Sequence, residues 1–248
     1  MKTAALQNYL SVKPIPPAER LIFALDVPSI EKAHEYVEML GETVQFYKLG
    51  LELFMAGGYF ELIKWLREKN KKVFVDLKFF DVPETVRSAV RQLKKHAATF
   101  TTVHGNDSML KAAADAAKGS ELKILAVTVL TSLDQHDLRD LGFECDLKTL
   151  VLSRARRALA LGCDGVISSG LEAPELRAEL GDQFLIITPG IRPVENVDDQ
   201  KRTVDVEEAF LNGADYIVVG RPIRHAVDPK AAAQAIQQKI ARLFTGAR

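Results

Sequence analysis

Short apolar runs alternate with amphipathic stretches along almost the whole of this chain of 248 residues. The apolar runs are rich in branched and aromatic residues and have the length of buried strands. They lie at 21–26, 44–49, 72–77, 99–104, 122–129, 163–168, 184–188 and 215–219. The pattern therefore predicts eight strands.

Most of these strands are followed by a segment whose apolar residues recur every three or four positions, as in a helix with one buried face. The predicted helices lie at 30–40, 52–69, 83–96, 108–117, 147–161 and 229–243. Gly57 and Gly58 form a candidate break within the second of them. Strand and helix thus alternate regularly along the chain.

This repetition predicts an α/β fold, a (β/α)8 TIM barrel that forms a single domain over residues 1–248, with an extended N-terminal segment at 1–18. The alternative is an open doubly wound sheet. It is disfavoured because no GxGxxG motif follows the first predicted strand, and because such a sheet usually needs fewer units.

The third predicted strand runs directly into charged residues. Asp76 and Lys78 lie two residues apart, so a continuing strand places both side chains on the same face. Asp81 follows in a loop, and Pro83 suits the first turn of the next helix. One interpretation is a structural ion pair with a helix cap. The other is a functional site, since burying three charges is costly unless they are needed.

The remaining strand ends favour the functional interpretation. In a (β/α)8 barrel the active site lies at the carboxyl ends of the strands. Almost every predicted strand end is polar, whereas the strand interiors are apolar, and packing does not explain this difference. The residues at these ends are Asp26, Lys48, Asp76, Lys78, His104, Thr131, Ser132, Ser168, Pro189, Arg192, Gly220 and Arg221. For His104, a catalytic role and a structural role are both open.

The segments after the seventh and eighth strands carry a separate signal. Barrels often bind phosphate there through backbone amides. Gly220 and Arg221 follow the eighth strand, and the guanidinium group of Arg221 would add a planar, charged donor. Arg192 follows the seventh strand, where it is either a ligand or a solvated loop residue.

Composition limits the choice of partner. The chain has 33 lysines and arginines and 33 aspartates and glutamates, so its charge balance does not indicate a nucleic acid or a membrane surface. The two cysteines, Cys145 and Cys163, form no CxxC motif, which argues against a disulfide framework or a zinc site. We expect a small-molecule partner and a cytoplasmic location.

Several motifs occur together in a characteristic order. They are Asp26 in LDV, Lys48 in YKLG, Asp76-Leu-Lys78-Phe-x-Asp81-x-Pro-x-Thr85, Thr131-Ser132, Thr188-Pro-Gly-Ile-Arg192, Asp199-Gln200 and Gly220-Arg221-Pro222-Ile223. With these motifs the chain resembles the orotidine 5'-phosphate decarboxylases over nearly its whole length. One departure is Phe80, where bacterial members commonly have histidine.

The resemblance implies a cofactor-free and metal-free decarboxylation that forms UMP. Lys78 would donate a proton to C6 and Asp76 would lie against the departing carboxylate. Asp81 and Thr85 would reach in from the second subunit of a homodimer. The substrate-binding residues implied by the resemblance are Asp26, Lys48, Thr85, Thr131, Ser132, Pro189, Arg192, Gln200, Gly220 and Arg221.

Two rival functions remain at this point. Metal-dependent relatives, such as 3-keto-L-gulonate-phosphate decarboxylase and hexulose-phosphate synthase, use Mg²⁺ to stabilise an enediolate. Those relatives have an acid where Lys48 stands, and a lysine repels a metal ion. The other rival is an inactive phosphate-binding scaffold, which is disfavoured because no part of the motif set is missing.

Overall fold

Eight parallel strands close into a barrel in sequence order, with the last strand paired to the first. The computed structural model describes residues 8–191 and 203–246. The strands are β1 Leu21–Ala24, β2 Phe46–Leu49, β3 Lys72–Phe79, β4 Phe100–Val103, β5 Lys123–Val127, β6 Gly165–Ile167, β7 Leu185–Thr188 and β8 Tyr216–Val219. The predicted (β/α)8 architecture is confirmed.

Helices separate the strands and pack on the outside of the barrel. They are α1 Ile30–Leu40, α2 Leu51–Ala56, α3 Tyr59–Glu68, α4 Pro83–Leu93, α5 Asp107–Ala117, α6 Gln135–Asp140, α7 Leu147–Ala160, α8 Ala173–Leu180, α9 Val206–Leu211, α10 Arg221–Arg224 and α11 Pro229–Thr245. Short 3-10 turns occur at Pro17–Glu19, Gly41–Thr43 and Lys94–His96. None of the helices within residues 8–191 and 203–246 is long and apolar enough to cross a membrane.

The strands bury both of their faces, which explains why they read as continuous apolar runs. Their outward-facing residues join the helices in one large cluster. Their inward-facing residues fill the barrel, where the rings of Phe46 and Phe100 lie 5.0 Å apart and those of Phe100 and Tyr216 lie 5.2 Å apart. The interior is therefore a packed core, and not an open channel.

The structure differs from the sequence prediction in several elements. The segment 52–69 forms two helices, because Gly57 and Gly58 adopt φ angles of +84° and +67° that a helix interior excludes. α6, α8, α9 and the short α10 were not predicted. In α6 only Leu138 is buried, so the sequence shows no helical periodicity, and the helix starts at an Asp134–Asp137 capping box.

A cluster of charged residues closes the amino-terminal end of the barrel. Asp215, just before β8, is fully buried and accepts hydrogen bonds from Ser11, Lys13, Arg177 and the backbone of Ile186. Residues 8–16 form neither helix nor strand, and the first seven residues lie outside the described part of the chain. Ser11 and Lys13 therefore fasten this N-terminal segment to the barrel.

Candidate active site

Four charged side chains from the first three strands form a row of alternating sign at the carboxyl end of the barrel. Lys48 Nζ lies 3.1 Å from Asp26 Oδ1 and 3.4 Å from Asp76 Oδ2. Lys78 Nζ lies 2.9 Å from Asp76 Oδ1. Each lysine thus neutralises a neighbouring carboxylate, and Asp76 lies between two ammonium groups.

Strand pairing brings these residues together. Lys48 on β2 is in register with Ala24 on β1 and with Phe74 on β3, so the strand ends lie side by side. Lys78 has a φ angle of +50°, and the pairing of β3 with β4 shifts in register between Val75 and Phe79. Asp76 and Lys78 do reach the same cavity, as predicted, but an irregular strand places them there.

The opposite charges of this row shift the pKa values of Lys48 and Asp76 in the directions that keep both groups ionised. Burial by itself lowers the pKa of Lys48, but the carboxylates of Asp76 and Asp26 outweigh it and raise that pKa above its ordinary value. Burial by itself raises the pKa of Asp76, but Lys48 and Lys78 outweigh it and lower that pKa below its usual range. At neutral pH both groups therefore carry their charge.

The row faces a cavity of about 440 Å³ at the barrel mouth. The lining residues that the sequence predicted are Asp26, Lys48, Asp76, Lys78, Thr131, Pro189, Gly220 and Arg221. Ser132 is exposed and lies outside the described lining. Arg192 and Gln200 lie outside the described residues. The cavity combines charged groups with apolar ones such as Phe74 and Val127, which suits a small ligand that has both polar and apolar parts.

The side of the cavity after β8 is positively charged. Arg221 and Arg224 stand at the two ends of the short helix α10, three residues apart and hence on one face, and both line the cavity. Arg224 was missed from the sequence, although its spacing from Arg221 was a usable signal. Gly220 lets the backbone after β8 approach the end of β1 closely, since an added Cβ atom would lie 3.3 Å from Ala24 Cβ.

Asp81 and Thr85 lie outside the described cavity lining, unlike Asp76 and Lys78 of the same motif. Both are exposed, and Asp81 Oδ1 accepts a hydrogen bond of 2.6 Å from the backbone N–H of Val82. Phe80 and Val82 on either side of Asp81 are 66% and 62% exposed. The loop therefore presents an apolar surface with a carboxylate at its centre.

His104 faces a neighbouring cavity of about 400 Å³, which Phe80 and Arg154 also line. Burial lowers the pKa of His104, and the positive charges of Arg154 and Lys78 lower it further. The imidazole is therefore neutral at pH 7 and does not add to the charged row. This placement favours a structural role for His104.

The fold and the site together place this protein in the class of (β/α)8 barrel enzymes. Its charged cavity for a small molecule lies at the carboxyl ends of the strands. Comparison with known proteins is more specific. Residues 19–236 match the model of the "Orotidine 5'-phosphate decarboxylase / HUMPS family". The chain belongs to this family.

Individual relatives cover nearly the whole chain. An orotidine 5'-phosphate decarboxylase from Methylococcus capsulatus is 64% identical over 96% of this chain and 99% of its own length. One from Stenotrophomonas maltophilia is 51% identical over 92% of this chain and 95% of its own. The crystal structure of orotidine 5'-phosphate decarboxylase from Lactobacillus acidophilus superposes with a TM-score of 0.79 at 40% identity, covering 90% and 99% of the two chains.

Proposed function

We propose that this protein decarboxylates orotidine 5'-phosphate to UMP, in the last step of pyrimidine nucleotide synthesis, as a carbon–carbon lyase without a cofactor. The observation that carries the proposal is the row Asp26–Lys48–Asp76–Lys78 inside one cavity. The names of the relatives, which match over almost their full length, support the same reaction.

The charges of the row explain how such a reaction is accelerated. The bond between C6 and the carboxylate carbon breaks, carbon dioxide leaves, and the electron pair remains on C6. A carboxylate such as Asp76, placed about 4 Å from the substrate carboxylate, opposes it by roughly 4 kcal/mol at an effective dielectric constant near 20. This repulsion disappears as carbon dioxide departs, so it destabilises the bound substrate more than the transition state.

Lys78 stabilises the transition state, whereas Asp76 destabilises the bound substrate. Its ammonium group attracts the negative charge that concentrates on C6, and this attraction is stronger in the transition state than in the bound substrate. Lys78 then donates a proton to C6. Asp76 holds the Lys78 side chain in place until that transfer, because the two groups are 2.9 Å apart.

Lys48 distinguishes this site from those of the metal-dependent relatives. Its ammonium group lies within 3.4 Å of both Asp26 and Asp76, where it already neutralises the carboxylates that could hold a divalent cation. A second positive charge at this position would be repelled. The donor set therefore fits decarboxylation through a carbanion better than through a metal-bound enediolate.

The rest of the cavity would hold the nucleotide. Asp26 and Lys48 would bind the ribose hydroxyls, and Thr131 with Ser132 would meet the pyrimidine edge. Arg221 would bind the phosphate, with Arg224 supplying a further positive charge at that side of the cavity. The remaining proposed contacts to the phosphate end are Pro189, Arg192, Gln200 and Gly220.

We further propose a homodimer in which Asp81 and Thr85 complete the site of the partner subunit. Both are exposed and stand apart from the described lining of their own cavity. The neighbouring Phe80 and Val82 supply exposed apolar surface of the kind that protein interfaces cover. Such a dimer has two equivalent sites, each built from both chains.

Mixing two inactive variants tests the shared site. Lys78→Ala and Asp81→Ala homodimers should each be nearly inactive, but a refolded heterodimer combines an intact Lys78 with an intact Asp81 in one of its two sites. Random pairing should restore about a quarter of all sites, because half of the dimers are mixed. No recovery, with heterodimers confirmed by differential tagging, would refute the two-chain site.

The reaction itself is tested by following the absorbance of orotidine 5'-phosphate in the presence of EDTA. We expect turnover at the same rate with and without the chelator. Loss of activity in EDTA that Mg²⁺ restores would contradict the metal-free mechanism, and absence of turnover in every buffer would contradict the proposed substrate.

A further inference from the structure

Thr102 on β4 contacts two residues of the charged row through a single hydroxyl group. Its Oγ1 donates a hydrogen bond of 2.9 Å to Asp76 Oδ1 and accepts one of 3.0 Å from the backbone N–H of Lys78. The side chain is fully buried. A backbone N–H can only donate and a carboxylate can only accept, so the direction of both bonds is determined.

The bond to Lys78 compensates for an irregularity in β3. Val75 pairs with Thr101 and Phe79 pairs with Val103, so four residues of β3 advance while β4 advances by two. The residues between them leave the regular ladder, and a buried N–H without a partner would be costly. The Thr102 hydroxyl takes the place of a ladder carbonyl for Lys78.

The same bond stabilises an unusual backbone conformation. Lys78 has a φ angle of +50°, which non-glycine residues adopt at a cost on the order of 1 kcal/mol. This conformation directs the side chain so that its ammonium group returns to Asp76, two residues earlier. Asp76 Oδ1 thus receives bonds from both Lys78 and Thr102, and Oδ2 is left facing Lys48 at 3.4 Å.

We propose that Thr102 is a positioning residue for the decarboxylation, holding the Lys78 ammonium group and the Asp76 carboxylate in their working arrangement. This inference rests on the proposed function. Thr102 itself need not touch the substrate, since it acts through the backbone of Lys78 and the orientation of Asp76. Its contribution should therefore appear in the chemical step and not in nucleotide binding.

The neighbouring residue provides a matched control. Thr101 is also fully buried on β4, but its side chain points to the other face of the strand. Within the described part of the chain its Oγ1 has no hydrogen-bond partner. Replacing either threonine by valine removes one hydroxyl and keeps the shape, so only Thr102→Val disturbs the charged row.

The test compares steady-state kinetics of orotidine 5'-phosphate turnover for wild type, Thr102→Val, Thr102→Ser and Thr101→Val, with melting temperatures measured in parallel. For Thr102→Val we expect kcat to fall by roughly 10- to 100-fold, as for loss of a hydrogen bond to a charged group, with KM changed less than about threefold. Thr102→Ser should recover most of kcat, and Thr101→Val should stay near wild type. If Thr102→Val does not fold, Thr102→Ala serves the same comparison.

The outcomes separate this inference from the proposed function. An active wild type with unchanged kcat in Thr102→Val would overturn the positioning role. So would an equal loss in Thr101→Val, which would point to general damage of β4, or a failure of Thr102→Ser to recover activity. A wild type that does not turn over the nucleotide would instead contradict the proposed function.

Discussion

The two ends of the barrel each carry a row of paired charges, yet the two rows are built differently. At the amino-terminal end, Asp215 is fully buried. Its carboxylate accepts hydrogen bonds from Ser11 at 2.5 Å, Lys13 at 3.0 Å, Arg177 at 2.7 Å and the Ile186 N–H at 2.9 Å. Both of its oxygens are occupied by protein donors. These protein donors compensate for the desolvation of the buried Asp215 carboxylate.

At the carboxyl-terminal end the row is left open. Lys78 pairs with Asp76 on one side, and its side chain is 36% exposed toward the cavity. Asp26 at the other end of the row is also partly exposed, at 42%. Charges that are held by their neighbours but still reach a cavity are prepared for a charged substrate. The structural row and the row at the candidate active site therefore do not differ in being charged. They differ in whether the charged groups remain exposed to a cavity.

The strongest test of this comparison is Lys78→Ala. We expect kcat/KM to fall by more than roughly 10³-fold, because the variant loses both the proton donor and the cation beside C6. Lys72→Ala is the matched control, since Lys72 begins the same strand at the closed end and pairs with Glu19. Steady-state assays and circular dichroism of both variants measure the contrast, and equal losses would contradict it.

Arg221→Ala should have the next largest effect on activity. We expect kcat/KM for the nucleotide to fall by about 10²- to 10³-fold, because binding energy from the phosphate also serves the chemical step. Turnover of the corresponding nucleoside, which lacks the phosphate, should change little. Arg156→Ala, an exposed arginine on α7 that pairs with Glu179, is the control. Equal losses for both substrates would remove Arg221 from the phosphate site.

Asp215→Asn should affect stability and leave the chemistry intact. It leaves the buried Arg177 and the partly buried Lys13 without their shared carboxylate, which should lower the free energy of unfolding by about 3 kcal/mol. Urea denaturation measures this loss, and kcat of the folded variant should match wild type. A large fall in kcat with unchanged stability would mean that the closed row also takes part in catalysis.

The smallest expected effect is that of His104 on stability below neutral pH. Burial, with Arg154 and Lys78, lowers the pKa of His104, so the folded state binds its proton less readily than the unfolded chain does. Its contribution is complete above the ordinary histidine pKa of about 6.5 and declines as the pH falls from there toward the folded-state pKa. In His104→Gln the free energy of unfolding should decline less steeply between pH 7 and 5. Urea titrations at several pH values in this range measure the difference. An unchanged slope would show that His104 is not its source.

The sequence alone predicted the architecture and, except for Arg224, the charged and hydroxyl-bearing residues that line the cavity. Strands and helices follow from periodicities within short windows, which local backbone geometry and burial impose, and Pro83 does begin α4 as expected. Polar residues at the strand ends could be placed together because a parallel barrel brings all carboxyl ends to one rim. Asp26, Lys48, Asp76 and Lys78 were found in this way.

Only the tertiary structure decided how those residues are held. The left-handed Lys78 and its bond to Thr102 depend on a register shift between two strands, and no local pattern reports such a shift. The closed network joins Ser11 to Asp215 across 204 positions in the chain. Hydrogen bonds of this kind form only when the barrel closes and brings distant segments into contact. For that reason the sequence determined which charges meet at the rim, and the closed barrel determined which of them remain open to a substrate.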